Sequence, residues 1–213
     1  MHVLGMDACR GKWLAVALRD GRYDGVRFGP DAGRLVAARP DVAAIGVDIP
    51  IGTPDVPTRD ADRAAREFVG ERRSSVFPTF PKFVLEAATY EEAKALCGAR
   101  GWPKPSIQSF GMRHRILEIG RLADDDERVI EVHPEVSFRE LIGRTPAPKR
   151  TATGAAERRL ALTAAGLELP NLPYPEEDVL DAAVVAWSAC RYALGQARPL
   201  PPGHPERIGA IWR

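Results

Sequence analysis

Four acidic residues lie at the ends of short apolar runs that are widely spaced in the sequence. They are Asp7, Asp48, Glu131 and Asp181. An ionised carboxylate at the edge of an apolar core is costly unless a cation meets it, and a shared divalent metal ion is one such cation. These four residues are therefore the candidate catalytic and metal-binding groups of the chain.

Asp7 and Asp48 each follow a segment with the character of a β-strand. Asp7 comes after residues 2–6, and the alternative is a turn residue that bonds nearby backbone ahead of Gly11. Asp48 comes after residues 42–47, a nearly continuous apolar run typical of a strand buried on both faces. Because α/β proteins bind ligands at the carboxyl edge of the sheet, Asp48 is the stronger candidate.

Glu131 lies close in sequence to His133 and Glu135, near the end of a strand predicted over residues 129–132. Glu131 and His133 alternate onto one face of that strand, although a surface strand with polar outward positions would show the same pattern. We choose Glu131 over Glu135 as the site residue. For His133 we expect a local hydrogen bond.

Asp178 and Asp181 lie three residues apart in a helix predicted over residues 176–194, on neighbouring points of one helical face. Asp178 falls in the first turn, where acidic side chains interact favourably with the helix dipole. Asp181 lies further along, beside apolar residues that face the core. Asp181 is therefore the stronger site candidate of the two.

Three basic residues are candidates for contact with a substrate backbone. Arg72 and Arg73 lie in a proline-rich stretch, and Lys149 lies in a basic loop. Guanidinium groups bind phosphate oxygens through forked contacts, and an ammonium group binds them as a point charge. The alternative is that these side chains only keep the surface soluble.

The composition indicates a globular protein without a strong global charge. The chain has 213 residues, 45% of them hydrophobic, and a formal net charge of +1, so a nucleic-acid partner would need a local basic patch. Three scattered cysteines without a CxxC spacing disfavour a disulfide framework and a zinc site. The apolar run over residues 182–187 is too short to cross a bilayer. We expect a cytoplasmic protein with no membrane segment.

The elements that must position the acids alternate between strands and helices. Strands are predicted over residues 3–6, 13–18, 23–28, 42–47 and 129–132, and helices over residues 30–38, 59–68, 90–96, 106–122, 149–165 and 176–194. Prolines punctuate residues 50–105, which we predict to be an insertion over one edge of the core. The order predicts a single α/β domain over residues 1–213 with a mixed sheet.

Six short motifs together resemble a known family. They are Val3-Leu-Gly-Met-Asp7 with Gly11-Lys-Trp13, Gly46-Val-Asp-Ile-Pro-Ile-Gly52, Arg72-Arg-Ser-Ser-Val-Phe-Pro78, Ser109-Phe-Gly-Met112, Glu131-Val-His-Pro-Glu135 and Asp178-Val-Leu-Asp-Ala182. The set resembles the bacterial and archaeal family of unknown function number 429, described as predicted nucleases of RNase H-like fold. The resemblance implies an RNase H-like mixed five-stranded sheet flanked by helices, with the proline-rich insertion after the fourth strand.

The resemblance also implies a chemistry, which is metal-dependent hydrolysis of nucleic-acid phosphodiester bonds. In RNase H-like enzymes, acids from the first strand, the fourth strand and a late helix surround two divalent ions. By that resemblance Asp7, Asp48 and Asp181 hold two Mg²⁺ or Mn²⁺ ions, with Glu131 as a further ligand and Asp178 as the second acid of the helix. The glutamate that ribonuclease H carries on its first helix has no counterpart in residues 34–38.

Two other functions remain open from the sequence. A non-catalytic module could use the same sheet to bind nucleic acid or a protein. An ATP-binding phosphotransferase could use the acids to hold Mg²⁺ on nucleotide phosphates, but the proteins of that kind duplicate the domain, and 213 residues without an internal repeat leave no room for two copies.

Overall fold

Five strands form one mixed sheet at the centre of the molecule. A computed structural model describes residues 1–213, in which the strands are β1 (His2–Cys9), β2 (Lys12–Arg19), β3 (Arg22–Gly29), β4 (Val42–Val47) and β5 (Val129–Glu131). Their order across the sheet is β3-β2-β1-β4-β5. The first three strands pair antiparallel, whereas β4 and β5 run parallel to β1. The mixed five-stranded sheet predicted from the sequence is confirmed.

Two tight turns of the same kind fold the first three strands into a meander. Arg10 and Gly11 connect β1 to β2 with φ values of 48° and 79°, and Asp20 and Gly21 connect β2 to β3 with φ values of 51° and 76°. Two consecutive residues with positive φ are typical of the two-residue turns that match the twist of a hairpin, and glycine adopts this conformation without a steric cost. The hairpin predicted at Asp20 is therefore present.

Helices cover both faces of the sheet. They are α1 (Ala32–Ala37), α2 (Asp60–Val69), α3 (Lys82–Leu85), α4 (Tyr90–Gly98), α5 (Ile107–Gly111), α6 (Arg113–Asp125), α7 (Pro134–Ile142), α8 (Ala152–Ala164) and α9 (Glu176–Ala193), with a 3₁₀ turn over Gly70–Ser75 and a small ribbon of β6 (Pro199–Leu200) and β7 (Ile211–Trp212). One apolar core lies between the sheet and α1, α3, α4 and α6, and a second lies between the sheet and α7, α8 and α9. The arrangement has three layers.

The structure differs from the sequence prediction at three helices, one of which is the short α3, which was not predicted. The helix predicted over residues 106–122 is two helices: Ser106 caps α5 by accepting a hydrogen bond from the Ser109 amide, and the chain turns at Met112 before α6. Helix α7 was not predicted. It begins with Pro134 in its first turn, a position that suits proline because the missing N–H has no helical partner there.

Helix α9 lies directly against the backbone of β1 and β4, and two glycines make this approach possible. A Cβ atom on Gly5 would lie 2.1 Å from the Ala186 nitrogen and 2.2 Å from the Ala182 carbonyl oxygen, and one on Gly46 would lie 2.9 Å from Val185 Cγ1. No side chain fits at these distances, so the helix backbone packs on the strands themselves. The close approach brings the start of α9 over the carboxyl end of β1.

Candidate active site

The fold brings Asp7, Asp48 and Asp181 to one edge of the sheet. Strands β1 and β4 run parallel with Met6 opposite Val47, so Asp7, near the carboxyl end of β1, lies beside Asp48, which directly follows β4. The Asp48 amide donates to the Met6 carbonyl oxygen at 3.0 Å. Asp181 reaches the same edge from the second turn of α9, and Asp7 and Asp181 are only 8% and 3% exposed.

The three carboxylates interact as like charges that water screens poorly. Burial raises the pKa of Asp7 well above its usual range, and the nearby Asp48 and Asp181 raise it further. Burial also raises the pKa of Asp48 to about 6, with His133 opposing the shift and Asp181 adding to it. The three acids therefore destabilise one another in the absence of a compensating cation.

A cavity of about 180 Å³ opens beside these acids. Its polar lining includes Asp48, His133, Glu135, Lys149 and Asp181, and its apolar lining includes Ile49, Pro50, Val76, Phe77, Met112 and Ile211. Phe77 is 41% exposed, which is unusual for a large aromatic side chain. The cavity thus combines charged groups with apolar surface.

Lys149 lies among the acids. Its Nζ donates to Asp181 Oδ2 at 2.7 Å. Although burial opposes the charged form, the pKa of Lys149 is raised because Asp181 holds the ammonium and Asp48 and Asp7 attract it. The sequence singled out Lys149 for substrate contact, and the structure places it where it compensates carboxylate charge.

Glu131 is engaged by a buried arginine. Arg59 Nη1 donates to Glu131 Oε2 and Arg59 Nη2 to Glu131 Oε1, both at 2.6 Å, and the Ile51 amide donates to Oε2 at 2.6 Å. Both carboxylate oxygens are therefore occupied, although Glu131 also borders the cavity. The sequence led us to expect a metal ligand here, and the contacts instead make Glu131 an anchor for the loop that follows β4.

The same arginine joins a second acid that the sequence analysis missed. Arg59 Nε and Nη2 donate to Asp62 Oδ1 at 3.0 and 2.6 Å, and Asp62 Oδ2 accepts from the Thr79 amide at 2.6 Å. Arg59 is 6% and Asp62 1% exposed. This network connects β5, the loop after β4 and the proline-rich segment behind the cavity. Nothing in the local sequence pattern identifies Arg59 as buried.

Glu135 also forms an ion pair with a buried arginine. Arg158 Nη2 donates to both Glu135 carboxylate oxygens, at 2.8 and 2.9 Å, and Arg158 is 1% exposed. Gly154, Arg158 and Leu162 are the buried residues of α8. Their spacing of four residues places all three on one helical face, which is the signal that could have identified Arg158 as a core residue.

Arg72 and Arg73 lie outside the acid pocket, whereas Asp178 is near enough to Asp7 to raise its pKa. Arg72 Nε donates to the Pro146 carbonyl oxygen at 3.4 Å. Arg73 borders a separate surface recess with Arg66. Asp178 lies near Cys9, where burial and then a hydrogen bond to Asp178 raise the pKa of the thiol to about 12.

His133 makes the local contact that its sequence position predicted. It precedes α7 as the capping residue, and its Nδ1 accepts a hydrogen bond from the Glu135 amide at 3.2 Å. Its Nε2 lies 3.3 Å from the Ser75 carbonyl oxygen. His133 therefore fixes the start of α7 at the rim of the cavity.

The free energy of unfolding should change with pH because Asp48 titrates at a different pH in the folded and unfolded chains. Its pKa rises from 3.8 to about 6 on folding. Between these values the folded chain holds a proton that the unfolded chain has lost, so the stabilisation is complete below the lower value and is lost as the pH rises through the higher one. We expect the metal-free protein to lose about 1–2 kcal/mol relative to Asp48→Asn across this window, with allowance for solvent in the cavity.

Urea unfolding of both proteins at about pH 4 and about pH 7 measures this difference. The variant is the control for all other groups that titrate, because only position 48 differs. A gap between the two proteins that stays constant with pH would contradict the raised pKa of Asp48.

Comparison with known proteins gives one family and two structural likenesses. The Thermus thermophilus RuvC in complex with a Holliday junction substrate is 16% identical, with a TM-score of 0.43, over 94% of this chain and 99% of that one. A second Thermus thermophilus RuvC structure is 15% identical, with a TM-score of 0.38, over 94% of this chain and 100% of that one. No curated protein matches the sequence.

None of the helices is both long and apolar enough to span a membrane. The model of the family described as "Protein of unknown function (DUF429)" matches residues 5–207. That range includes Asp7, Asp48, the buried arginine network and the whole of α9 with Asp181. The match spans nearly the entire chain, and the protein therefore belongs to the DUF429 family.

Proposed function

We propose that this protein is a metal-dependent nuclease in which Asp7, Asp48 and Asp181 hold a divalent cation against a phosphodiester. The observation that carries the proposal is the convergence of three carboxylates, two of them nearly inaccessible to solvent, on one edge of the sheet. Buried like charges persist in a fold only when something offsets their cost. A divalent cation is the partner that would offset it here.

The donor chemistry fits Mg²⁺ or Mn²⁺. All three residues offer carboxylate oxygens, which hard cations prefer. As the side chains stand, no three acidic, histidine or cysteine residues are gathered tightly enough to hold an ion. Asp7, Asp48 and Asp181 would hold the ion, and the free energy of binding would offset their mutual repulsion. Asp178, which also raises the pKa of Asp7, is the further acid within reach.

The chain's own residues supply the rest of the site. A bound metal contributes positive charge at the phosphodiester and an acidified water molecule. His133 and the Arg59 network fix the loops that border the cavity, and Phe77 with Met112 offers an apolar wall to the sugar and base beside the phosphate. Arg72 and Arg73, which lie outside the pocket, are proposed to contact the substrate backbone at a distance from the reacting bond.

A cleavage panel tests the proposed function. Single-stranded and duplex DNA, branched DNA and single-stranded RNA are incubated with metal-free protein, with Mn²⁺ or Mg²⁺, and with metal plus EDTA. We expect at least one substrate to be cut only when the divalent ion is free. Cleavage that persists in EDTA, or an intact panel under every condition, would contradict the proposal.

A further inference from the structure

We propose that Lys149 acts as a built-in cation of the acid pocket, so that the protein binds one divalent ion where the family resemblance implies two. This inference rests on the proposed function, because it concerns the charge balance of the same site. It goes beyond that function by assigning the metal stoichiometry and by giving Lys149 the place of the second ion.

The ammonium group of Lys149 lies where a second ion would contact Asp181. Lys149 Nζ lies 2.7 Å from Asp181 Oδ2, within hydrogen-bond distance. A second divalent ion at Asp181 would have to share this carboxylate with the ammonium or displace it. At separations of a few ångströms, the repulsion between an ammonium and a divalent ion is strong in a poorly solvated pocket.

Hydrogen bonds hold the loop that carries Lys149 on both sides of that residue. Before it, the Ala147 amide donates to Glu157 Oε2 at 2.8 Å, and the Ala147 carbonyl oxygen accepts from Arg158 at 2.7 Å. After it, Thr151 caps α8 by accepting from the Gly154 amide at 3.0 Å. The restrained loop therefore holds Lys149 beside the acids, whereas most surface lysines have no fixed partner.

The formal charges of the pocket side chains also favour a single ion. Three further acids border the cavity: Glu135 pairs with the buried Arg158, and Glu131 and Asp62 share the buried Arg59. The innermost set, Asp7, Asp48, Asp181 and Lys149, has a formal charge of 1 − 3 = −2. One divalent ion neutralises this innermost set.

The Lys149 ammonium also has N–H donors that Asp181 does not use. A lysine carries three N–H donors, and Asp181 Oδ2 occupies one of them. The Lys149 side chain is 40% exposed and borders the cavity, so the remaining donors are available to a non-bridging oxygen of a bound phosphodiester. Lys149 thus offers the substrate the positive charge that a second metal ion would otherwise supply.

Titration calorimetry with Mn²⁺ tests the assignment without any cleavage assay. We expect one ion per chain for the wild type, two for Lys149→Met, and one again for Lys149→Arg, which restores the positive charge. Arg150→Met is the matched control, because Arg150 is the exposed neighbour of Lys149, and it should bind one ion. Thermal unfolding of each protein verifies that the variants are folded.

The outcomes separate this inference from the proposed function. Two ions bound by the wild type, or the same count in Lys149→Met as in the wild type, would overturn the role of Lys149 and leave a metal-dependent nuclease standing. If none of the folded proteins binds Mn²⁺, both proposals fail together. One ion in the wild type and two in Lys149→Met supports the assignment.

Discussion

Asp7→Asn should reduce metal-dependent cleavage to less than about one hundredth of the wild-type rate, because even residues that only support metal ligands cost about 10–100-fold when they are changed. The same substitution should stabilise the metal-free protein. It removes a buried charge whose pKa is raised by burial and by Asp48 and Asp181. We expect a gain of about 1 kcal/mol, which is roughly 2–4 °C in melting temperature for a chain of this size.

Opposite effects on activity and stability distinguish a functional acid from a structural one. Replacing a structural carboxylate would lower the stability of the protein, and activity would then fall because less of the protein is folded. Asp125→Asn is the control, because Asp125 is an exposed acid at the end of α6 and should change neither quantity. Cleavage by Asp7→Asn at the wild-type rate, or a marked loss of its stability without metal, would contradict the role of Asp7.

Arg59→Met should lower the free energy of unfolding by about 3–5 kcal/mol, the typical cost of removing one partner from a buried ion pair. Arg59 donates to Glu131, Asp62 and the Ile51 carbonyl oxygen, and all four residues are buried. Without the guanidinium, two carboxylates remain in the interior with no cation between them. The loop after β4, which begins at Asp48, would lose its anchor to β5.

Urea denaturation at neutral pH measures this loss, with Arg63→Met as the matched control. Arg63 pairs with Asp60 on the surface of α2, where both side chains are 67% exposed, so we expect a change of less than about 1 kcal/mol. Adding Glu131→Gln to Arg59→Met should recover part of the loss, since it removes one of the stranded charges. Equal small effects of the two arginine substitutions would show that the buried network does not stabilise the fold.

The strands could be predicted from the sequence because local chemistry determines them. Residues 42–47 form a continuous apolar run, and Asp20 with Gly21 forms a turn that the twist of a hairpin favours. Helix α7 was not predicted because its first turn follows β5 within a few residues. Pro134 and Glu135 were therefore interpreted as the end of the strand.

The acids of the pocket could be named from the sequence, but their partners could not. An acid beside an apolar run is visible locally, as at Asp7 and Asp181. Whether an arginine meets it is decided by tertiary structure, and Arg59 lies 72 residues from Glu131 in the chain. Lys149 likewise lies 32 residues from Asp181. The local pattern therefore identifies a set of candidates, and the tertiary structure separates the acids that buried arginines hold from the acids of the pocket.

A crystal of the protein soaked in Mn²⁺ would show whether the acid pocket binds a metal ion, because anomalous scattering locates the ion without reference to any substrate. We expect one Mn²⁺ peak in contact with carboxylate oxygens of Asp7, Asp48 and Asp181, with the Lys149 ammonium still beside Asp181. A soaked crystal with no peak among these three side chains, or with Mn²⁺ bound only elsewhere, would contradict this expectation.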